Sequence, residues 1–371
     1  MTVGELNFNR KLRGRKLPEN AGLIPDLLTL RHCVSRTSEV YDPRGLVAPI
    51  LAGFKVDTNI LHQVCKGWDD PIPTELKELW ASNFDLINEI GNIEFHRAVV
   101  PVDAVSLEIE TIDTADASEQ LVCSAIYGRF LRKDGTYSCQ LLFARSKIIH
   151  DTTIPRAELI AAVLNASTGH LVRVSLKDFH KTSWHITDSQ VTLMWINNSK
   201  GALKPFVRNR VGEVIRLTDL KKWFYTKSEN MVADLGTRKG VTIKEVSPGS
   251  PWIDGLPWMH DQAENFPIKS VSDLVLSSKE QAEMNKEKVV NLELPKQALC
   301  AYNSVPKEVG ERYKFCQYLI NPCRYKFSKV VCILGLVHLF IAKLASNVEN
   351  VRENTLTAWK YSMMMGQWTS T

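Results

Sequence analysis

Apolar and polar positions divide this 371-residue chain into stretches of different period. Residues 1–100 read as mainly helical: an amphipathic run covers Glu75 to Ile90, and Pro-punctuated loops fall at Tyr41 to Pro49 and Trp68 to Pro73. From about Val105 the period shortens to two. Val105, Leu107 and Ile109 alternate with Ser106, Glu108 and Glu110, and Cys139, Leu141 and Phe143 alternate with Ser138 and Gln140, the signature of half-buried strands. Between the second and third strand segments, Lys133, Asp134 and Gly135 supply a hairpin turn. A helix is predicted to open around Pro155, whose fixed backbone angle suits a first turn, and to run to about Val174. A strand (Ser183 to Thr187), a helix opening at Ser189 and a helix with Val207, Val211, Val214 and Ile215 on one face follow. A fifth strand, Trp223 to Thr226, leads to a last helix that Asn230 could cap. The order predicts an α/β domain over 101–245, a mixed five-stranded sheet with flanking helices.

After Gly240 the pattern loosens. Ser-Pro-Gly-Ser-Pro at 247–251 and the charged run Ser277 to Lys288 predict a linker over 246–300, and helical periodicity returns over 301–371. Within that last segment Val330 to Ala345 is strongly apolar. His338 interrupts it, and Lys329 and Lys343 bracket it at less than the roughly 20 residues a spanning helix needs, so a buried or partner-facing helix is expected and no membrane.

Composition changes this picture little. With 44% hydrophobic and 23% charged residues the chain can bury a core, and a net charge of +5 permits a polyanionic partner without requiring one. Eight cysteines lack C-x-x-C spacing and no apolar leader precedes them, which predicts reduced thiols in an intracellular protein, cytoplasmic or nuclear.

Four acids carry the candidate chemistry. Asp116 closes the first strand, Glu158 lies in the first turn of the first helix, Asp188 closes the fourth strand, and Asp234 lies in the first turn of the last helix. Each alone has an ordinary explanation as a cap, a turn residue or a partner of a helix dipole. Jointly, in this chain order and on these element types, they can meet at one edge of the sheet. Two-metal phosphodiester hydrolysis needs such oxygen ligands on rigid elements, around two Mg²⁺ or Mn²⁺ ions.

The strings around these acids resemble a known family. Thr114-Ala-Asp-Ala-Ser118, Ile154-Pro-Arg-Ala-Glu-Leu159, Thr187-Asp-Ser189 followed by Trp195-Ile196, Asn209-Arg-Val211, and Asn230-Met-Val-Ala-Asp-Leu-Gly-Thr-Arg238 resemble the ribonuclease H region of Pao/BEL-type retrotransposon polyproteins. Tyr41-Asp-Pro-Arg-Gly-Leu-Val-Ala-Pro49, Trp68-Asp-Asp70 and Gly255-Leu-Pro-Trp258 look like flanking blocks, so the resemblance spans roughly residues 30 to 260. It implies a ribonuclease H-like fold over 101–245, a helical connection region over 1–100, and an endonuclease that hydrolyses the RNA strand of RNA/DNA hybrids. It further implies that Asp116 would bridge both ions, with Glu158 and Asp188 completing one shell and Asp234 the other.

The departures narrow that implication. Polyproteins of this kind carry a polymerase palm with a Tyr-x-Asp-Asp motif, which is missing here, so a reverse transcriptase palm would come from another chain. No Asp-Thr-Gly or Asp-Ser-Gly triplet occurs, so the aspartic peptidase activity in the family's name has no residues to carry it. Cys316 and Cys323 lack the spacing and matched histidines of an integrase zinc site.

A hybrid substrate requires groups that track two backbones. Arg145, Lys147 and Arg156 lie near the acids in sequence, and Lys204, Arg208 and Arg210 line the segment before the fifth strand. His185 faces away from Asp188 by strand alternation, and Trp184, Trp195 and Trp223 fit core positions better than base stacking. Lys227, Ser228 and Glu229 occupy the loop where cellular ribonucleases H often place a histidine, which predicts slower product release. Two other roles fit the same residues: a silent retroelement remnant, and a module that tethers nuclease to polymerase through residues 1–100.

Overall fold

The period-two stretches form one five-stranded sheet in the computed structural model, which describes residues 5–7, 24–96, 98–197 and 203–288. The helical segment expected at 301–371, with its apolar run and the four cysteines from Cys300 onward, lies outside the described residues. In chain order the elements are β1 (Glu5–Asn7), α1 (Leu30–Thr37), α2 (Ala48–Val64), α3 (Lys77–Ile90), β2 (Glu94–His96), β3 (Ile109–Ala117), β4 (Leu121–Leu131) and β5 (Tyr137–Ile148). They continue with α4 (Ile154–Leu176), β6 (His180–Thr187), α5 (Gln190–Asn197), α6 (Pro205–Leu217), β7 (Trp223–Tyr225), α7 (Ile243–Val246), α8 (Pro251–Asp254) and α9 (Ser278–Lys286). The main sheet runs β5-β4-β3-β6-β7, antiparallel through β3–β4–β5 and parallel through β3–β6–β7.

The first strand starts later than the alternation at 105–110 predicts. Val105 and Leu107 are each 57% exposed, and the buried run begins at Ile109. Pairing decides this, because β3 is flanked by β4 and β6 and both its faces are covered, a setting in which alternation fades into a continuous buried run. The hairpin between β4 and β5 turns where expected, with Gly135 at φ +83°, a conformation that favours glycine.

α4 crosses one face of the sheet. Pro155 sits in its first turn, and it turns Ala157, Ala161, Ala162, Ala166 and Gly169 inward, so its backbone lies close to β3 and β4. A side chain at Gly169 would collide with the Asp113 carboxylate. α4 is also long and apolar enough to cross a membrane by composition, but half of that stretch is buried in the fold. Beside it, Val207, Val211 and Val214 of α6 are buried with Trp195 and Trp223, whereas Ile215 is partly exposed.

The opposite face is covered by chain from both ends of the described region. Asp42 accepts from the backbone N–H groups of Gly45, Leu46 and Val47, which starts α2, and the Ala144 N–H donates to the Arg44 carbonyl at 2.8 Å, fixing that block to edge strand β5. Residues 246–266, expected as linker, instead send Trp252, Ile253, Met259 and Phe266 into the same core as Leu46, Phe54 and Tyr127. The prolines there open short helical turns, and the aromatic rings that follow are carried inward. Trp252 Nε1 donates to the Leu46 carbonyl at 2.8 Å and the Tyr127 hydroxyl donates to the Trp252 carbonyl at 2.7 Å.

The last helix of the expected order is absent. Residues Ser228–Asn230 and Val232–Thr237 form two 3₁₀ turns. Here tertiary bonds outcompete a helix: Ser146 Oγ donates to the Gly236 carbonyl at 3.0 Å, and a side chain at Gly236 would strike Cys123.

Candidate functional site

Parallel pairing of β3 with β6 sets Ala115 opposite Thr187, so the next residues, Asp116 still within β3 and Asp188 just past β6, come at the same end of the sheet. Glu158, expected in the first turn of α4, lies just beyond it because the helix already starts at Ile154, and its carboxylate reaches the same edge, where it accepts from Ser189 Oγ. The second 3₁₀ turn brings Asp234, and Thr237 Oγ1 donates to Asp116 Oδ2 while standing 3.0 Å from the Asp234 carbonyl. Asp188 accepts from Ser228 Oγ at 2.7 Å, and Asp234 pairs with Arg238 four residues on. All four sequence-predicted acids therefore stand at one end of the sheet, each held by a hydroxyl or guanidinium of its own.

Asp234 has the Arg238 guanidinium beside it, whereas the charges next to Asp116 and Glu158 are those of other carboxylates. Burial pushes the Asp116 carboxyl up to about 7, and the charges of Asp188 and Asp234 push the same way, against the Thr237 hydrogen bond. Glu158 rises to about 7, again chiefly from burial, with Asp188, Asp116 and Glu280 adding repulsion against the Ser189 hydrogen bond. Asp188 is raised by burial, opposed by its bond to Ser228. Among the described residues, the charges that shift Asp116 and Glu158 are those of other acids.

A donor set made only of carboxylate oxygens suits hard divalent cations. The carboxylates are not drawn into a closed shell: among the described residues no three His, Cys, Asp or Glu side chains stand together as ligands of one ion. The residues present fit a divalent ion by donor chemistry and by uncompensated charge, with side-chain rotation needed to close around it.

The hydroxyls of Ser189, Ser228 and Thr237 and the guanidinium of Arg238 are the partners that the pattern of the sequence left unnamed. Their signal was adjacency, since Ser189, Thr237 and Arg238 each lie within four residues of one of the acids and Ser228 lies in the loop that follows β7. Ser189 serves twice, because its Oγ also accepts from the Thr192 N–H and so starts α5.

The six basic candidates fall into two groups. Arg145 and Lys147 lie exposed on β5 on either side of buried Ser146, with Lys55 of α2 bonded to the Ser146 carbonyl at 3.1 Å. Lys55 was not foreseen; burial and the Arg145 charge hold its ammonium below the usual lysine range, as they do for Lys147. Lys204 and Arg208 are exposed at the start of α6, while Arg210 folds back with its guanidinium 3.5 Å from the Phe206 ring centre. Arg156 lies over the same ring at 4.7 Å and is engaged by Glu287. His185 is buried on the far side of the strand, and Trp195 and Trp223 are 1% exposed, in the core.

A mixed five-stranded sheet with helices on both faces, entered in this order, defines the ribonuclease H-like class. Residues 29–189 match the model of the family described as Pao retrotransposon-like RNaseH-like domain. The match takes in Asp116, Glu158 and Asp188 and stops before Asp234. No curated protein matches the chain. Solved structures similar to it include the N-terminal RNase H domain of a Mycobacterium tuberculosis protein fused to maltose binding protein, at 12% identity, 34% of this chain, 89% of that one and a TM-score of 0.25. RNase H1 of Halobacterium salinarum is similar at 12% identity over 33% of this chain and 87% of that one, TM-score 0.23. A foamy viral protease-reverse transcriptase in complex with RNA/DNA hybrid is similar at 14% identity over 64% of this chain and 30% of that one, TM-score 0.34.

Proposed function

We propose that the chain is a metal-dependent endonuclease that hydrolyses the RNA strand of RNA/DNA hybrids, with Asp116, Glu158, Asp188 and Asp234 holding two Mg²⁺ or Mn²⁺ ions. The observation that carries the reading is the meeting of four carboxylates at one sheet edge where, among the described residues, the charges that shift Asp116 and Glu158 are those of other acids. Burying such a set costs free energy unless a cation compensates it. The family match supports the choice of nuclease, since it covers three of the four acids.

Bound divalent ions would supply Lewis-acid stabilisation of the scissile phosphate and a more acidic water. The protein's own part is to aim the ligands. Thr237 orients Asp116, Ser189 orients Glu158 and Ser228 orients Asp188, so each carboxylate is presented by a hydroxyl that can remain bonded to one oxygen while the other turns to an ion. The exposed cations Arg145, Lys147, Lys204 and Arg208, with Arg156 and Arg210, are the candidates for the two phosphate backbones.

Cleavage of a labelled RNA/DNA hybrid in Mg²⁺ by wild type beside Asp188→Asn, with duplex DNA and duplex RNA as controls, tests this reading. Hybrid-specific cutting that the substitution abolishes is expected. Folded wild-type protein that leaves the hybrid intact in Mg²⁺ and in Mn²⁺ would refute it.

A further inference from the structure

The surface beside Glu158 is covered by part of the chain itself. α9 is polar along its length and buries no residue, yet the segment that follows it is fastened firmly. The Lys204 N–H donates to the Glu287 carbonyl at 2.8 Å and Leu203 pairs with Lys288 across a single bridge. Glu287 is thereby drawn down to 7% exposure, and its Oε1 accepts from Nε of Arg156 at 2.8 Å and stands 2.7 Å from Nη2 of the same guanidinium. Arg156 is two residues from Glu158 on the first turn of α4. A cleft of about 410 Å³ between these elements is lined by Thr153, Pro155, Arg156, Trp195, Lys204 and Glu287.

Two features make this contact a poor permanent fastening. Glu287 Oε2 is buried with no hydrogen-bond partner among the described residues, so the carboxylate has lost its water without full return from them. A phosphate, with more acceptor oxygens, would satisfy the planar guanidinium more completely. The helix that precedes the contact holds on by little apolar surface, with Met284 only partly buried against the Trp195 cluster, which is the profile of a locally releasable segment. Glu280 of the same segment also adds its negative charge to the field on Glu158.

We propose that residues 278–288 are an autoinhibitory strap, in which Glu287 occupies Arg156 as a stand-in for a backbone phosphate and must be displaced before a hybrid reaches the carboxylates. The proposal rests on the hybrid-nuclease reading above. Substrate and strap then compete for one guanidinium, so free protein is held in a low-affinity form.

Binding of a labelled RNA/DNA hybrid to the full chain in Ca²⁺, read by fluorescence anisotropy for wild type, Glu287→Gln, Arg156→Ala and the double variant, tests it together with amide exchange over 278–288. Glu287→Gln is expected to tighten binding about tenfold, the worth of one charge-assisted contact. Its log–log salt slope should stay that of wild type, because Arg156 engages the same phosphate once the strap has left. The gain in affinity should vanish when Arg156 is already alanine, and hybrid should speed exchange over 278–288 in wild type. Hybrid binding whose affinity ignores Glu287→Gln, with 278–288 still protected, would overturn the strap and leave the nuclease reading standing. Where no form binds hybrid, the nuclease reading falls, and inorganic pyrophosphate decides the strap: faster exchange over 278–288 supports an anion-displaced segment, and unchanged exchange overturns it.

Discussion

Strand β3 carries two buried aspartates three residues apart, and their surroundings are opposite. Asp113 lies under α4, where Arg173 Nη1 donates to it at 2.8 Å and His185 Nδ1 stands 3.2 Å away, with Asn165 3.1 Å from the same ring nitrogen. Asp116, at the end of the strand, meets a threonine hydroxyl and the fields of two more carboxylates. Burial raises both acids, Asp113 to about 6 and Asp116 to about 7, but the neighbouring charge of Arg173 lowers the first while Asp188 and Asp234 raise the second. The difference separates a structural charge, neutralised from within, from one whose counterion must come from outside. Identity of residue type says nothing of this; the partners do.

Replacing the internal cation should have the largest effect on stability. Arg173→Met leaves Asp113 buried and unpaired, and loss of about 3–5 kcal/mol is expected from denaturant unfolding. The matching change at the edge, Asp116→Asn, should do the reverse to the apo protein, raising its midpoint by relieving repulsion, while cleavage falls by more than about 100-fold. Even partners one step removed from a metal cost 10–100-fold, so a ligand should cost more. An Asp116→Asn protein that is less stable than wild type without metal would blur the contrast. Thr237→Val, which removes only the orienting hydroxyl, should lower activity about tenfold and leave unfolding nearly unchanged.

The pH dependence sharpens the comparison with the sign fixed by linkage. Asp116 and Glu158 bind protons more tightly folded than unfolded, so apo stability should fall as pH rises from about 4 to about 7. Divalent metal should reverse that trend, because ions compete with the same protons, and apparent Mg²⁺ affinity should rise through pH 7 and level off above it. Calorimetric unfolding at pH 5.5 and 8, with and without Mg²⁺, measures both slopes; parallel curves in the two conditions would count against the site.

Much of the site could be read from the residues because strand ends and helix starts are where local signals are strongest. The Pro155 start of α4, the Gly135 hairpin and the two parallel strands before Asp188 and after α6 were all legible in this way. What was not legible depended on contacts between distant segments. The 3₁₀ turns at 228–237 replace a helix because Ser146, Cys123 and Asp116, all far away in sequence, fix Gly236 and Thr237. Trp252 enters the core from a Pro/Gly-rich stretch whose composition suits a linker, since its partner Leu46 lies some two hundred positions earlier. The alternation at 105–110 was a true pattern in the wrong place: strand limits follow pairing partners, and β6 begins to pair only at Ile109 and β4 at Glu110. Arg156 was singled out for a substrate, yet Glu287, the residue that engages it, sits in a charged segment whose composition predicted a linker.

The claim on which the account turns is that the acids at the sheet edge are a divalent-cation site. Mn²⁺ titration followed by the loss of the free-ion EPR signal, for wild type and Asp116→Asn at pH 8, addresses it without substrate or turnover. Saturable binding by wild type that is abolished or weakened at least about tenfold by the substitution is expected. Binding that is equal in the two proteins, or absent from both, would contradict it.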